Sequence, residues 1–118
     1  MAERPDLERL QAELARFVAE RDWDQFHNPK NLAMALAGEC GELLEHFQWL
    51  TPDQADNLPA SVRDAVELEV ADVFLFLLRL SDRLGVDLLA AAARKLELNR
   101  QKYPVDKSKG RATKYDQL

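Results

Sequence analysis

Two short segments of the chain each carry a pair of carboxylates three residues apart. Glu39 and Glu42 form the first pair, and Glu69 and Asp72 form the second. Because residues three apart lie on the same face of an α-helix, each pair points in one direction. Four carboxylates that converge from two packed helices would supply the hard oxygen ligands that Mg²⁺ and Mn²⁺ prefer.

The surroundings of these acids bear on whether they form a site or a solvated surface. Acidic pairs at this spacing are common on exposed helix faces. Here Asp72 precedes the apolar run 73–78, and a buried carboxylate is costly unless it is paired, protonated or bound to a metal. Gly38 and Gly41 flank the first pair. Glycine inside a helix costs about 1 kcal/mol relative to alanine, so we expect a ligand or another helix to approach closely there. Spacing and burial alone leave both interpretations open.

Helical patterns run through the whole chain and no segment alternates with a period of two, so the sequence predicts an all-α fold. The expected architecture is a helical bundle of about four main helices. Helix caps are predicted at Asp6, Asn28 and Asp87, with Gly85 as a left-handed terminator. The main helices are predicted at about 6–20, 29–50, 61–84 and 88–102.

Length and hydrophobicity bound the domain organisation. A chain of 118 residues predicts one domain, which we place at residues 1–104, with 105–118 as its basic and irregular C-terminal tail. The helix around 70–80 is apolar on nearly every side, which is more than a small monomer can cover. A homo-oligomer, either a homodimer or a homotetramer, is therefore expected.

Composition excludes several classes of protein. The net charge of −5 gives no reason to expect nucleic-acid binding, and no apolar run is long enough to cross a bilayer. The single cysteine, Cys40, excludes an intramolecular disulfide and fits a reducing compartment, so a cytoplasmic location is expected. Residues 94–118 are basic, which suits either a bound polyanion or an ordinary solvated surface.

Taken together with other segments, the two acid pairs resemble the signature of the MazG-type all-α nucleoside triphosphate pyrophosphohydrolases, and most closely their dCTP pyrophosphatase subgroup. The resemblance extends from about Leu7 to Leu118. The segments that carry it are 20–23, 25–27, 38–43, 47–49, 99–101, 103–105 and 114–115.

This resemblance implies an enzyme that hydrolyses a nucleoside triphosphate, with dCTP or a modified dCTP expected, to the monophosphate and pyrophosphate. Such an activity would serve nucleotide-pool sanitation. The implied cofactor is Mg²⁺, with Mn²⁺ as a substitute. The implied metal ligands are Glu39, Glu42, Glu69 and Asp72, and Glu39 or Glu45 is expected to orient the attacking water. The implied substrate-binding residues are Trp23, Phe26, His27, Trp49, Phe76, Lys95, Asn99 and Arg100.

The chain departs from the mammalian members of the subgroup at two positions. Phe76 stands where those members have tyrosine, and Leu14 replaces a histidine. Both changes leave the acid pairs intact and leave the base preference open. Without the resemblance, Trp23 and Trp49 would be read as core or interface residues.

Two other classes of protein were weighed. A four-helix di-metal carboxylate protein needs a Glu-x-x-His pair on each of two helices. Here Glu42 is followed three residues later by Glu45, and His46 comes one step too late. The remaining alternative is a non-catalytic helical regulatory or interaction module, which a degenerate pyrophosphohydrolase would resemble.

Overall fold

The structure is a computed structural model, and it describes residues 4–118. Within that range it contains helices and no strand, so the predicted all-α class is confirmed for the described residues. Single 3₁₀ turns lie at Asp24–Phe26 and Tyr115–Gln117. The α-helices are α1 (Leu7–Glu20), α2 (Pro29–Glu45), α3 (Pro52–Asp56), α4 (Ala60–Leu84), α5 (Leu88–Lys102) and α6 (Val105–Ser108).

The predicted helix boundaries with clear capping chemistry are confirmed. The side chains of Asp6, Asn28 and Asp87 each accept a hydrogen bond from the backbone N–H three residues later, at 2.8–3.0 Å. These bonds satisfy donors that the first turn of a helix leaves without a partner. Gly85 ends α4 in the left-handed region, with φ of 68°.

One predicted helix boundary was wrong. Helix α2 ends at Glu45 rather than near Leu50, and residues 46–49 form turns. The backbone N–H groups of His46, Phe47 and Leu50 donate to carbonyls three residues earlier, so the chain tightens into turns before Thr51. Thr51 caps α3 through a reciprocal capping box with Gln54.

The C-terminal tail was predicted to be irregular, and this was also wrong in part. Pro104 ends α5, yet it precedes α6, because a proline is tolerated at the start of a helix. The tail packs further on the rings of Tyr103 and Tyr115, whose centroids lie 6.0 Å apart. The Lys102 ammonium lies 4.8 Å from the centre of the Tyr115 ring.

Helix α2 packs mainly against α4, and α1 packs against α4 as well. The apolar side chains buried most completely are Val18, Leu32 and Leu78, one from each of these helices. The run 73–78 is less buried than predicted, because the two neighbours of α4 cover only part of its circumference. Large apolar side chains therefore stay exposed on α2 and α4, namely Met34, Leu44, Leu68, Val70 and Phe74.

The structure divides after Gly85 into two compact units, the second running from Val86 to Leu118. The first unit contains α1 to α4, and the second contains α5, α6 and the C-terminal turn. The assignment of residues 1–104 to one domain with a separate tail stays a prediction. None of the helices within residues 4–118 has the length and hydrophobicity that a membrane crossing requires.

Candidate metal centre and substrate cavity

Three carboxylates meet where α2 packs against α4. Glu39 comes from α2, and Glu69 and Asp72 come from α4. One oxygen from each of the three side chains lies within 4.8 Å of the other two. The spacing of three residues places Glu69 and Asp72 on one face of α4, which is the face that Glu39 meets. We call these three residues the acidic cluster. Glu42, one turn after Glu39, is exposed.

Two carboxylate oxygens of the acidic cluster are buried without a hydrogen-bond partner in the described chain. Glu39 Oε2 and Glu69 Oε2 are inaccessible to solvent, and neither has a hydrogen-bond partner among the described residues. A buried carboxylate oxygen without a donor is unfavourable, because it loses its hydration and gains nothing in exchange. A cation bound at these atoms would compensate for their lost hydration.

The electrostatics of the cluster lead to the same conclusion. Burial raises the pKa of the Glu39 carboxyl to about 7, and the charges of Glu42, Asp72 and Glu69 contribute further. Burial also raises the pKa of Glu69, as do the charges of Glu42 and Asp72, while His46 acts in the opposite direction. Like charges held together disfavour ionisation. A bound divalent cation would instead favour the ionised form of these carboxyl groups.

These residues fit a hard divalent cation. The available donors are carboxylate oxygens, which such cations prefer, and two of them lack any protein partner. Because Asp72 is partly exposed, the cluster is open on one side to a ligand that arrives from solvent.

An apolar cavity of about 250 Å³ adjoins the acidic cluster, and Asp72 lines it. Its walls come from α1, from the segment around the first 3₁₀ turn and from α4. We call it the aromatic cavity. Its lining residues are Leu14, Phe17, Val18, Trp23, His27, Asp72, Leu75, Phe76 and Arg79.

Aromatic contacts order one wall of this cavity. The Trp23 ring meets Phe17 edge to face, with centroids 5.7 Å apart, and lies 6.5 Å from the His27 ring. The Arg21 guanidinium covers Phe17 at 3.7 Å. Trp23 remains 42% exposed, so its ring is held at an edge yet still available to a ligand.

Comparison with known proteins agrees with this arrangement. The MazG-like family matches residues 35–118. The chain belongs to the MazG-like family. Over 116 residues it is 46% identical to dCTP pyrophosphatase 1 of Mus musculus and 42% identical to that of Homo sapiens. Each match covers 97% of this chain and 68% of the mammalian protein. The resemblance inferred from the sequence is thereby confirmed.

A solved structure supports the same family at the level of the fold. The MazG-like chain matches a pyrophosphatase from Archaeoglobus fulgidus with a TM-score of 0.80 and 37% sequence identity. The match covers 88% of this chain and 97% of the archaeal one.

The MazG-like chain brings several of the residues singled out from its sequence into one region. Trp23, His27 and Phe76 line the aromatic cavity together with Asp72. Leu14, the second departure from the mammalian pattern, lines the same cavity. Their roles in binding stay predictions, but they share this cavity with Asp72, which belongs to the acidic cluster.

Other predicted site residues lie elsewhere. Phe26 does not line the aromatic cavity and is 57% exposed. Trp49 lies in the turns that follow the end of α2 and is 87% exposed. The same exposure excludes Trp49 from the core of the described chain. Glu45 and His46 line a different cavity, of about 680 Å³, near α3.

Three predicted residues belong to the second unit. Lys95, Asn99 and Arg100 all lie on α5, and the Arg100 guanidinium pairs with Glu97 at 2.8 Å. Their assignment to phosphate binding stays a prediction.

The two glycines of α2 are not required for close packing among the described residues. A Cβ atom added at Gly38 or Gly41 would meet no atom of the described residues within 4 Å. No other helix of the described residues approaches them closely, so the expected close approach stays a prediction for a ligand or for a helix of a second copy. Both positions leave open space next to Glu39, which suits a ligand or a second copy of the chain.

Four lining residues of the cavity were not predicted from the sequence, namely Phe17, Val18, Leu75 and Arg79, and Arg79 is the charged one among them. Arg79 is among the few buried charged residues of the described chain, and its guanidinium reaches His27 and two aspartates. Arg79 could have been found from the sequence, because it is a single arginine within the apolar segment 73–80. A charged side chain buried in such a segment requires partners.

Proposed function

We propose that this chain is a Mg²⁺-dependent nucleotide pyrophosphohydrolase that converts dCTP, or a modified dCTP, to the monophosphate and pyrophosphate. The observation that carries the proposal is the acidic cluster beside an aromatic cavity, with Asp72 contributing to both. The mammalian relatives are named for dCTP, which identifies the substrate class.

The acidic cluster and Glu42 would hold the cation. When bound, Mg²⁺ offsets the charge that develops on the phosphate oxygens during transfer. Mn²⁺ accepts the same oxygen ligands and is expected to substitute. The partnerless oxygens of Glu39 and Glu69 support this assignment, because they are the atoms that a cation would satisfy.

A carboxylate of the site would orient the attacking water. A bond forms between the water oxygen and the α-phosphorus, the bridging bond between that phosphorus and the β-phosphate breaks, and pyrophosphate leaves. The proton of the water passes to the carboxylate. Glu39 and Glu45 are the two candidates, and the location of Glu45 on a separate cavity favours Glu39.

The aromatic cavity would hold the base. Its volume of about 250 Å³ lies just below the range of about 300–1,000 Å³ that is typical of ligand pockets, which suits a single ring rather than a whole nucleotide. Stacking on Trp23 would contribute about 1–3 kcal/mol. Phe76 and Leu14 present apolar surface in place of two polar groups. Phe26 and Trp49 remain proposed contacts of the nucleotide, and Lys95, Asn99 and Arg100 of the second unit remain proposed contacts of its phosphates.

We also propose that the chain works as a homodimer or homotetramer in the cytoplasm. Exposed apolar side chains on α2 and α4, together with the open space at the two glycines, support the assembly. Light scattering at low micromolar concentration is expected to give at least twice the chain mass of 13.5 kDa. An active species with the mass of one chain would contradict this proposal.

A panel of nucleotides tests the function. Common and base-modified deoxynucleoside and nucleoside triphosphates are incubated with the protein and Mg²⁺, and monophosphate and pyrophosphate are measured separately. The highest kcat/KM is expected for dCTP or a 5-substituted dCTP. If no nucleotide yields either product, the non-catalytic interpretation of the chain replaces this one.

A further inference from the structure

All three nitrogens of the Arg79 guanidinium bond to side chains of the first unit. Its side chain is only 7% exposed. Nε donates to His27 Nδ1 at 3.3 Å, Nη1 donates to Asp82 at 3.1 Å, and Nη2 pairs with Asp24. Each of the three nitrogens therefore has a partner of its own, an arrangement that the planar fork of arginine allows and the point charge of lysine does not.

These contacts fasten the segment of the first 3₁₀ turn to α4. Asp24 and His27 flank that turn, and Arg79 bonds both of them. One turn further along α4, Arg83 donates from Nε to the backbone carbonyl of His27 at 3.0 Å. The same segment carries Trp23, so the two arginines also fix the position of one wall of the aromatic cavity.

The hydrogen bond from Arg79 determines which nitrogen of His27 carries the proton. Arginine has donors only, so Nδ1 of His27 must accept and cannot bear hydrogen. The neutral ring then carries its proton on Nε2. Burial lowers the pKa of His27, and the charge of Arg79 lowers it further, while Asp24 acts in the opposite direction. The His27 ring is therefore neutral and has one hydrogen-bond donor, at Nε2. Its acceptor at Nδ1 is already occupied by Arg79.

We propose that Arg79 is a positioning residue that holds His27 as an Nε2–H donor at the aromatic cavity, and that this donor selects substrates whose ring carries a hydrogen-bond acceptor at the matching edge. Cytosine, with its ring nitrogen and carbonyl acceptors, is of that class. This inference rests on the proposed function only in its choice of ligand, since the state of His27 is a property of the free protein.

The first test observes His27 directly. Imidazole nitrogen NMR of the metal-free wild-type protein is expected to show Nδ1 unprotonated and Nε2 protonated near neutral pH. The chain has two histidines, so a His27→Phe variant assigns the signals. In Arg79→Met, which keeps the length of the side chain but donates no hydrogen bond, Nδ1 is expected to lose its fixed state and the pKa of His27 is expected to rise. Arg63→Met is the matched control, because Arg63 is an exposed arginine on the same helix.

The second test measures what this arrangement does for the substrate. Loss of one neutral hydrogen bond corresponds to about a three- to tenfold change in affinity, so Arg79→Met is expected to raise KM for dCTP by that factor with little change in kcat. Arg79→Lys keeps the positive charge but lacks the planar guanidinium, so it is expected to raise KM for dCTP as Arg79→Met does. Arg63→Met is expected to leave KM unchanged.

A double-mutant cycle decides whether Arg79 acts through His27. Residues that act as one unit give non-additive effects. In the His27→Phe background, Arg79→Met is therefore expected to add almost nothing to the change in KM. Full additivity of the two changes, with a lowered melting temperature in Arg79→Met, would reduce Arg79 to a structural residue and overturn the proposal.

The tests separate this inference from the proposed function. If the wild-type protein hydrolyses dCTP but Arg79→Met shows an unchanged KM or an unchanged His27 tautomer, the inference is wrong and the function stands. If the wild-type protein hydrolyses no nucleotide, the NMR experiment still decides the state of His27. A wild-type spectrum with the proton on Nδ1 overturns the inference in either case.

Discussion

Replacing Glu39 or Glu69 by glutamine is expected to reduce kcat/KM for dCTP by more than about 100-fold. Loss of groups that only support a metal ligand commonly costs 10–100-fold, and these residues are proposed as the ligands themselves. Glutamine keeps the size of the side chain, so the loss would come from the missing negative charge rather than from a cavity. The measurement is steady-state kinetics with saturating Mg²⁺.

The same variants are expected to be more stable than the wild-type protein when no metal is present. In the wild-type protein, burial and neighbouring carboxylates disfavour the ionised form of both residues. A neutral amide removes that repulsion, so the melting temperature without metal should rise while activity falls. Glu67→Gln serves as the control, because Glu67 is an exposed residue of α4 that lies outside the acidic cluster.

Opposite changes in activity and stability distinguish a metal site from a structural cluster. A cluster that merely supports the fold would lose both together. Near-normal turnover in both Glu39→Gln and Glu69→Gln would reject the shared site.

Removal of the metal is expected to abolish activity and to expose a dependence of stability on pH. In the folded metal-free protein the pKa of Glu39 is raised from 4.5 to about 7. Between these two values the folded state binds more protons than the unfolded state. The contribution of Glu39 to the free energy of unfolding therefore falls as the pH rises from 4.5 to about 7. The raised pKa of Glu69 acts in the same direction.

Mg²⁺ is expected to counteract this loss. The cation binds the ionised carboxylates, so its affinity should increase over the same pH interval, with release of protons on binding. At a free Mg²⁺ concentration of about 100 times the Kd, binding adds about 2.7 kcal/mol to the stability. Thermal unfolding with chelator and with Mg²⁺, across this pH interval, measures both effects.

A matched variant again provides the control. In Glu39→Gln the dependence on pH should be flatter, because the group with the raised pKa is gone. A metal-free wild-type protein whose stability rises between pH 4.5 and 7 would contradict the assigned environment of Glu39.

The parts of the fold that followed from the sequence are those with local causes. Asp6, Asn28 and Asp87 were identifiable as caps because a short polar side chain before an apolar helical pattern has one favourable partner three residues later. Glu69 and Asp72 were identifiable as neighbours on one face because the period of a helix determines which residues share a face. Their meeting with Glu39 was implied by the family resemblance.

The parts that did not follow depend on contacts between distant segments. The end of α2 was extended too far because the pattern of residues 46–50 is compatible with a helix, whereas the structure closes these residues into turns. Arg79 was missed because its partners Asp24 and His27 are more than fifty residues away in the chain. No local pattern could show that these groups meet.

The proposed function depends most directly on which phosphorus–oxygen bond of dCTP is cleaved. Hydrolysis of dCTP in oxygen-18 water with Mg²⁺, followed by phosphorus NMR or mass spectrometry of the products, answers this in one measurement. The account predicts equal amounts of dCMP and pyrophosphate, with the label in dCMP, and loss of both products in Glu39→Gln. Label in pyrophosphate, or release of dCDP and inorganic phosphate, would contradict water attack at the α-phosphorus.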